Sequence, residues 1–504
     1  MAVTKREIER KYESAAGGLP DLTGAGPVAA VADRGVDELD AVYWDTDDQR
    51  LAAAGLTLRR RTGGTDAGWH LKLPVAPGVR DEIRAPLSDA VPPLLASLVR
   101  SRVRDAELRP LVRLRSRRAV THLLDADGAL LAEVSVDAVR ARRLPRPGGT
   151  ARWSEIEVEL AEDGDPALLD TVEKRLRKAG VRRSPAASKL ARALAETAGP
   201  RCPAPTEEPE PVTAGDHVLA RLRAQRDALV ALDPAVRRNE EDAVHQMRVA
   251  ARRLRSALRS FRTVLDRAAT DRLDGELKRL GAELGAERDQ EVLTARLTEQ
   301  LDRLPRALVT GPVHAQVRAW DRERRGGTRR RLVKFLDSPR HLKLLDALDA
   351  LLADPPLRPA AGKAPKKVLR KAVRKDFRTL GRRIEQALAL PPGDDRDTAL
   401  HQARKQAKRT RYAAEAAVPA LGAPASDAAR AAKKLQKLLG EHQDGVMARE
   451  ALRELAGLAQ RAGESAFAYG VLYGREERQA DDVEARLPDL WSDLRPYGKA
   501  LRTR

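Results

Sequence analysis

Two hydrophobic periods divide this chain. Before about residue 197, apolar positions recur every second residue in short stretches: REIERKYE (6–13), LTLRRR (56–61), WHLKLP (69–74), LVRLRSRR (111–118), EVSVDAV (133–139) and SEIEVEL (154–160). That is the repeat of β-strands with one polar and one apolar face. From residue 215 onward, long Ala/Leu/Arg segments place apolar residues three and four apart, the repeat of amphipathic helices. These segments are broken at DPPLRPAAGKAPK (354–366) and at PPGDD (391–395). Between the two regions, GPRCPAPTEEPEPVTAG (199–215) is rich in proline and acid and has no period, which predicts a semi-extended linker. The expected organisation is a strand-rich domain over 1–197, a linker over 198–214 and a helical domain over 215–504.

The helical part repeats itself. VHQMRVAARRLRSAL (244–258) aligns with LHQARKQAKRTRYAA (400–414), matching His245 with His401, Gln246 with Gln402, Arg248 with Arg404, Arg252 with Lys408 and Arg255 with Arg411. Further on, LGAERDQEV from Leu284 aligns with LGEHQDGVM from Leu439, matching Asp289 with Asp444. Two matches in register indicate a duplication, with repeats over about 215–353 and 366–504. At 100° per residue, His245, Arg248, Arg252, Arg255 and Arg259 share one narrow face, opposite Met247, Ala250, Ala251, Leu254, Leu258 and Phe261. Solvated helices ordinarily mix signs on the polar side, because like charges at i,i+4 repel by a few tenths of a kcal/mol. A single-sign face is either plain solvated surface or the docking face of a polyanion. The duplication predicts that the two basic faces line one groove. A metal reading of the histidines fails, since no carboxylate or cysteine stands three or four residues from His245 or His401 among these cations.

Charge is distributed to match. Of the net +20, residues 1–200 contribute +3 (33 basic against 30 acidic) and residues 201–504 contribute +17 (61 against 44). A field of that sign favours nucleic acid, an anionic membrane surface or another polyphosphate-like partner. With aromatics at 3%, the chain lacks the material for a base-stacking platform, and no nucleic-acid-binding signature is present, so nucleic acid is an unlikely partner. No run of about 18 apolar residues and no signal-like apolar core is found, and the single Cys202 fits a reducing compartment. The expectation is a soluble cytoplasmic protein with no membrane partner.

In the first region the polar faces segregate by sign. Glu7, Glu9 and Lys11 share a face; so do Arg59 and Arg61, His70 and Lys72, Arg113, Arg115 and Arg117, Glu133, Ser135 and Asp137, and Glu155, Glu157 and Glu159. These are either the wet side of a sheet or a site where divalent metal and a phosphate chain neutralise both sets.

EIERK (7–11), YWDTDDQRLAAAGLTLRRR (43–61), HLKLP (70–74), LVRLRSRR, EVSVDAV, EIEVEL (155–160) and SKL (188–190) resemble, in that order, the motifs of the CYTH superfamily, the triphosphate tunnel metalloenzymes. This resemblance implies an α+β unit: an eight-stranded antiparallel tunnel, polar inside, with apolar faces outward under helices, and metal-dependent attack on a triphosphate. It implies that Glu7, Glu9, Glu157 and Glu159 hold Mg²⁺ or Mn²⁺. Lys11, Arg59, Arg61, Lys72, Arg113, Arg115 and Lys189 would clamp phosphate, and Asp137, with Glu133 beside it, would orient metal or water. Glu7, Glu9, Lys11 and Asp137 are thus the expected catalytic set, His70 is either a member of the phosphate clamp or a polar tunnel residue, and Trp69 and Trp153 are expected to be packing residues. The duplicated helices resemble the CHAD domain, an all-α duplicated bundle associated with inorganic polyphosphate. By that resemblance His245, Arg248, Arg252, Arg255, His401, Arg404, Lys408 and Arg411 contact phosphate, with His442 a weaker candidate. The combined expectation is a triphosphatase tethered to a polyphosphate-binding module, in the cytoplasm and associated with polyphosphate granules. A non-catalytic adaptor, a class IV adenylate cyclase and a thiamine triphosphatase are its competitors.

Overall fold

The computed structural model describes residues 3–13, 18–144, 148–197 and 210–501, residue 287 by its backbone alone. The chain forms two compact units that divide between residues 207 and 208. Residues 198–209 of the expected linker lie outside the described residues.

In the first unit the alternating stretches form strands β1 (Val3–Glu13), β2 (Ala30–Asp45), β3 (Thr57–Thr62), β4 (Gly68–Ala76), β5 (Val79–Ala85), β6 (Arg109–Leu124), β7 (Leu130–Arg143) and β8 (Thr150–Leu160), with a two-residue β9 (Arg182–Arg183) beside β1. All pairings are antiparallel, in the order β5-β4-β3-β2-β6-β7-β8-β1. Strand β1 closes the sheet by changing partner along its length: residues 3–8 pair with β5 and residues 9–13 with β8. The result is an eight-stranded antiparallel barrel with no free long edge.

Among the described residues, four helices complete this unit: α1 (Arg50–Ala53), α2 (Pro93–Val103), α3 (Ala167–Lys178) and α4 (Lys189–Thr197). Helix α3 covers the outer apolar face of β1, β6, β7 and β8 through Leu168, Leu169, Val172 and Leu176, packed on Tyr12, Val134, Ile156 and Val158. Helices α1 and α2 cover Leu58, Trp69, Leu71 and Ile83 on the other side. Helix α4 is different. Its Leu190, Ala193 and Leu194 pack on Tyr43, Val112, Leu114, Val139, Ala141 and Trp153. By the two-residue period, Val139 lies on the same face as Glu133 and Asp137, and Trp153 on the same face as the β8 glutamates. The lining therefore turns apolar toward the end where α4 is seated.

The second unit is entirely helical: α5 (Ala214–Arg238), α6 (Ala243–Ser260), α7 (Arg267–Asp302), α8 (Val313–Arg325), α9 (Thr328–Leu336), α10 (Pro339–Ala353), α11 (Pro365–Leu388), α12 (Asp394–Leu421), α13 (Ala423–Arg461) and α14 (Phe467–Ala500). Thr213 begins it with a capping box, accepting from the Asp216 amide while the Asp216 carboxylate accepts from the Thr213 amide. The duplicated segments become two helix pairs, α6–α7 and α12–α13, and α6 packs directly on α12. One large core joins these helices through Met247, Leu254, Ala403 and Ala407, and a smaller core holds the far ends of α7 and α13 against α8 and α14. Among the described residues no helix is long and apolar enough to cross a membrane.

Candidate functional site

The barrel encloses a cavity of about 680 Å³ lined by ten basic and nine acidic side chains. The alternation that builds each strand also aims them: Lys5, Glu7, Glu9 and Lys11 from β1, Arg59 and Arg61 from β3, Lys72 from β4, and Glu157 and Glu159 from β8 all face inward. Opposite charges interlock. Lys72 Nζ is 2.6 Å from Glu7, Lys11 Nζ is 3.1 Å from Glu9 and also pairs with Glu157, and Lys5 Nζ is 2.5 Å from Glu159. Burial raises the Glu7 pKa, and repulsion from Glu82 and Glu159 adds to this against the pull of Lys72. Arg59 is held above its ordinary value despite burial, by Tyr43 and Glu82, while Arg61 is pushed down to about 9 by burial and by Arg59 and Arg118.

Toward α4, the Lys189 ammonium lies 3.0 Å from Asp137, 2.8 Å from Glu155 and 2.5 Å from Glu157. Arg118 makes a two-pronged contact with Asp137 at 2.9 and 2.7 Å and reaches Glu157 at 2.9 Å. Burial disfavours all of these charges, yet Asp137, Glu157 and Glu155 hold the Lys189 pKa well above its usual range, and Lys11, Lys189 and Arg118 hold Glu157 well below its own. Asp137, Glu155 and Glu157 also bring one oxygen each within 4.8 Å of the others, a grouping that could hold a metal ion. Here Lys189 stands against all three.

Two placements correct the sequence expectation. Arg113 and Arg115 do not join the cavity: they lie on the outer face of β6 and pair with Asp40 at 2.5 and 3.2 Å. The inward residues of β6 are of the opposite parity, and Arg118 takes the place assigned to those two. The sign of the hydrophobic pattern misleads here, because Val112 and Leu114 face inward against α4 and so push the alternating arginines out. Asp137 is fully buried behind Arg118 and Lys189 and does not line the cavity. His70 is also buried, with its ring nitrogens 2.9 Å from Glu82 and from the Asp66 carbonyl. Besides Arg118, the lining residues unread in the sequence include Lys5, Arg80, Glu82 and Arg84. VRDEIRA (79–85) carries the same two-residue alternation as its neighbours, so the signal was present.

In the helical unit, Arg248 pairs with Asp289 at 2.6 Å and Arg404 with Asp444 at 3.7 Å. The repeated Leu-Gly element explains itself here. A Cβ on Gly285 would lie 3.3 Å from the Arg248 guanidinium carbon, and one on Gly440 would lie 3.6 Å from Arg404 Nε. Gly285 clears room for Arg248, whereas a Cβ at Gly440 would only touch Arg404 at ordinary contact distance; in both repeats the aspartate one turn later receives the arginine. Arg255 is engaged by Asp274 and Arg411 by Glu415. Arg252 and Lys408 have no ion pair or hydrogen bond to a side chain among the described residues. Burial, then Arg404, Arg252 and Arg248, push Lys408 down to about 7, and burial lowers Arg252 and Arg404 as well. His245 and His401 stand half-buried, lowered first by burial. His442 is turned into the bundle, 3.3 Å from Asp397 and 3.1 Å from Glu484, whose charges Arg449 and Arg396 balance.

The barrel geometry and the paired helices coincide with two family models: a CYTH domain model matches residues 5–194 and a CHAD domain model matches residues 220–453. An uncharacterized protein of Mycobacterium tuberculosis (strain H37Rv) is 38% identical over 513 residues, covering 98% of this chain and 97% of that protein. The chain belongs to the CYTH–CHAD proteins. Among solved structures, PptA from Streptomyces chartreusis is 24% identical at a TM-score of 0.48, covering 56% of this CYTH–CHAD chain and 99% of that one. The CHAD domain from the plant Ricinus communis is 24% identical at a TM-score of 0.42, covering 59% of this chain and 95% of that one. The CYTH unit is thus a triphosphate-tunnel fold, a family of triphosphatases and cyclases, and the duplicated bundle is its CHAD partner.

Proposed function

We propose that the CYTH unit is a metal-dependent triphosphatase that hydrolyses tripolyphosphate or a related triphosphate and releases orthophosphate, and that the CHAD unit docks inorganic polyphosphate. The observation that supports the first half is the shared cavity: basic and acidic rows from neighbouring strands face one another across a space enclosed by the barrel. A triphosphate alone would meet repulsion from the carboxylates; a triphosphate with divalent metal satisfies both rows. The residues present fit a metal. Glu7 is buried and unfavourably charged beside Glu82 and Glu159, a strain that a dication would relieve.

In this reading Glu7, Glu9, Glu157 and Glu159 hold one or two Mg²⁺ or Mn²⁺ ions. The bound metal would polarise the terminal phosphoryl group and lower the pKa of the attacking water. The chain's own groups do the rest. Lys11, Arg59, Arg61 and Lys72 neutralise the phosphate oxygens and fix the chain in line, which is most of what phosphoryl transfer asks of a protein. Arg80, Arg84 and Arg118 extend that clamp. Lys189 is positioned by Asp137 and Glu155 to present one ammonium toward the cavity, which makes Asp137 a positioning residue.

For the second half, the support is convergence: the two repeats place Arg248, Arg252, Arg404 and Lys408 near enough to disfavour one another's charge. A phosphate chain relieves that repulsion. The deciding assay measures orthophosphate from tripolyphosphate, ATP and thiamine triphosphate with Mg²⁺ and with Mn²⁺, comparing the intact chain with Glu7→Ala. Tripolyphosphate turnover lost in Glu7→Ala is the expected result. Cyclic nucleotide from ATP would instead indicate a cyclase, and no product from any substrate would indicate an adaptor.

A further inference from the structure

Resting on the polyphosphate reading of the α6–α12 groove, we infer that this groove is a proton-linked anion receptor: seating a phosphate chain charges Lys408, so binding takes up a proton and weakens as pH rises through neutrality. Four observations carry this. First, Lys408 is half-buried and has no carboxylate or carbonyl partner among the described residues, so nothing beside it compensates the partial loss of water around its ammonium. Second, the charged groups nearest Lys408 are mostly cations: Arg404 on its own helix and Arg252 and Arg248 on α6. Third, among the described residues the anions that act on this group of cations are Asp289 from α7 and Asp444 from α13, and each is taken by an arginine. The other helices packed on α12 spend their charges elsewhere: Arg221 of α5 points at Glu415, Asp376 of α11 at Arg409, and Arg383 of α11 at the Gln402 carbonyl. Fourth, the first repeat carries arginine at the equivalent position, Arg252, which stays charged at all relevant pH. The duplication therefore built one permanent cation and one titratable cation facing each other.

With its free-state value pushed down to about 7, Lys408 is largely neutral above that pH and has a proton to gain. A multiply charged anion placed beside it reverses the balance and restores the ammonium. Asp289 and Asp444 act as resident competitors, since a phosphate must displace them from Arg248 and Arg404 to make its own two-pronged contacts.

The test uses the full-length chain and long-chain inorganic polyphosphate, titrated calorimetrically at pH 7.5 in buffers of different ionisation enthalpy. Wild type is expected to take up about 0.7 proton more per groove than Lys408→Arg, because the substituted guanidinium is already charged. Wild-type affinity should fall roughly 30-fold between pH 6.0 and 8.5 beyond any change in Lys408→Arg, whose groove contribution stays flat. Lys408→Gln should bind more weakly than either, again without the extra uptake. Asp289→Asn with Asp444→Asn should tighten binding. Equal proton uptake in wild type and Lys408→Arg overturns the linkage, provided that Arg248→Ala with Arg404→Ala loses affinity. Unchanged affinity in that double variant instead overturns the groove itself, and the linkage with it.

Discussion

Replacing Lys189 with methionine tests the deep end of the barrel most sharply. In the native arrangement three buried carboxylates, Asp137, Glu155 and Glu157, are met by three cations, Lys189, Arg118 and Lys11. Methionine keeps the length and the apolar stem but removes one charge, leaving one carboxylate without compensation. Breaking a buried pair in this way costs about 3–5 kcal/mol. Protonation limits the loss: a carboxylate with an ordinary pKa near 4.3 can be neutralised for about 1.4 kcal/mol per pH unit, so the cost is capped at roughly 4.4 kcal/mol at pH 7.5 and roughly 1 kcal/mol at pH 5. The sign follows from the direction of the shift. In wild type Asp137 and Glu157 sit below their usual values and stabilise the fold above about pH 4. In the variant one of them sits above, so stability falls as pH rises from that point. At about 2–4 °C per kcal/mol for a unit of this size, scanning calorimetry of the full-length chain should show a loss of roughly 10 °C at pH 7.5, shrinking to a few degrees at pH 5. A loss that is the same at both pH values, or under about 1 kcal/mol at pH 7.5, would refute the buried-charge account.

Other outcomes follow from the same geometry. Glu7→Gln should lower metal-dependent phosphate release by about 100-fold or more with the melting temperature at or above wild type, since it removes a raised, buried charge; full turnover would reject the metal assignment. Arg113→Ala with Arg115→Ala should leave turnover within about 2-fold of wild type and cost under about 1 kcal/mol, because both arginines make outer-face pairs with Asp40. Arg118→Ala, by contrast, should impair both stability and phosphate release, and equal behaviour of the two variants would undo the assigned parity of β6. Arg248→Ala with Arg404→Ala should weaken polyphosphate binding and reduce its salt dependence by about two released counterions, measured by titration at several salt concentrations.

Much of this molecule was legible because period and sign are local properties. EIERK places Glu7, Glu9 and Lys11 on one side of any strand it forms, and HQMRVAARRLR places Arg248, Arg252 and Arg255 on one side of any helix, whatever surrounds them. The family motifs then gave those faces a common purpose, and the barrel brings the expected β1, β3, β4 and β8 residues to a single cavity. Arg118 was hidden because LVRLRSRR carries arginine at both parities near its end, and the inward parity depends on α4, a helix more than seventy residues away. An alternating strand states that one face is apolar; it does not state whether that face meets an outer helix or an inner one.

The sequence alone determined the strand and helix periods, the duplication and the charge carried by each face, since these are set by covalent order and backbone geometry. Only the tertiary structure decided which side of β6 is inside, that Asp137 anchors Lys189 in place of lining the cavity, and that Lys408 has no ion pair among the described residues while Arg255 and Arg411 are engaged. Burial and distance fix those outcomes, and both are properties of the folded chain: a charge gains its partner, or loses its proton, according to neighbours that lie far from it in sequence.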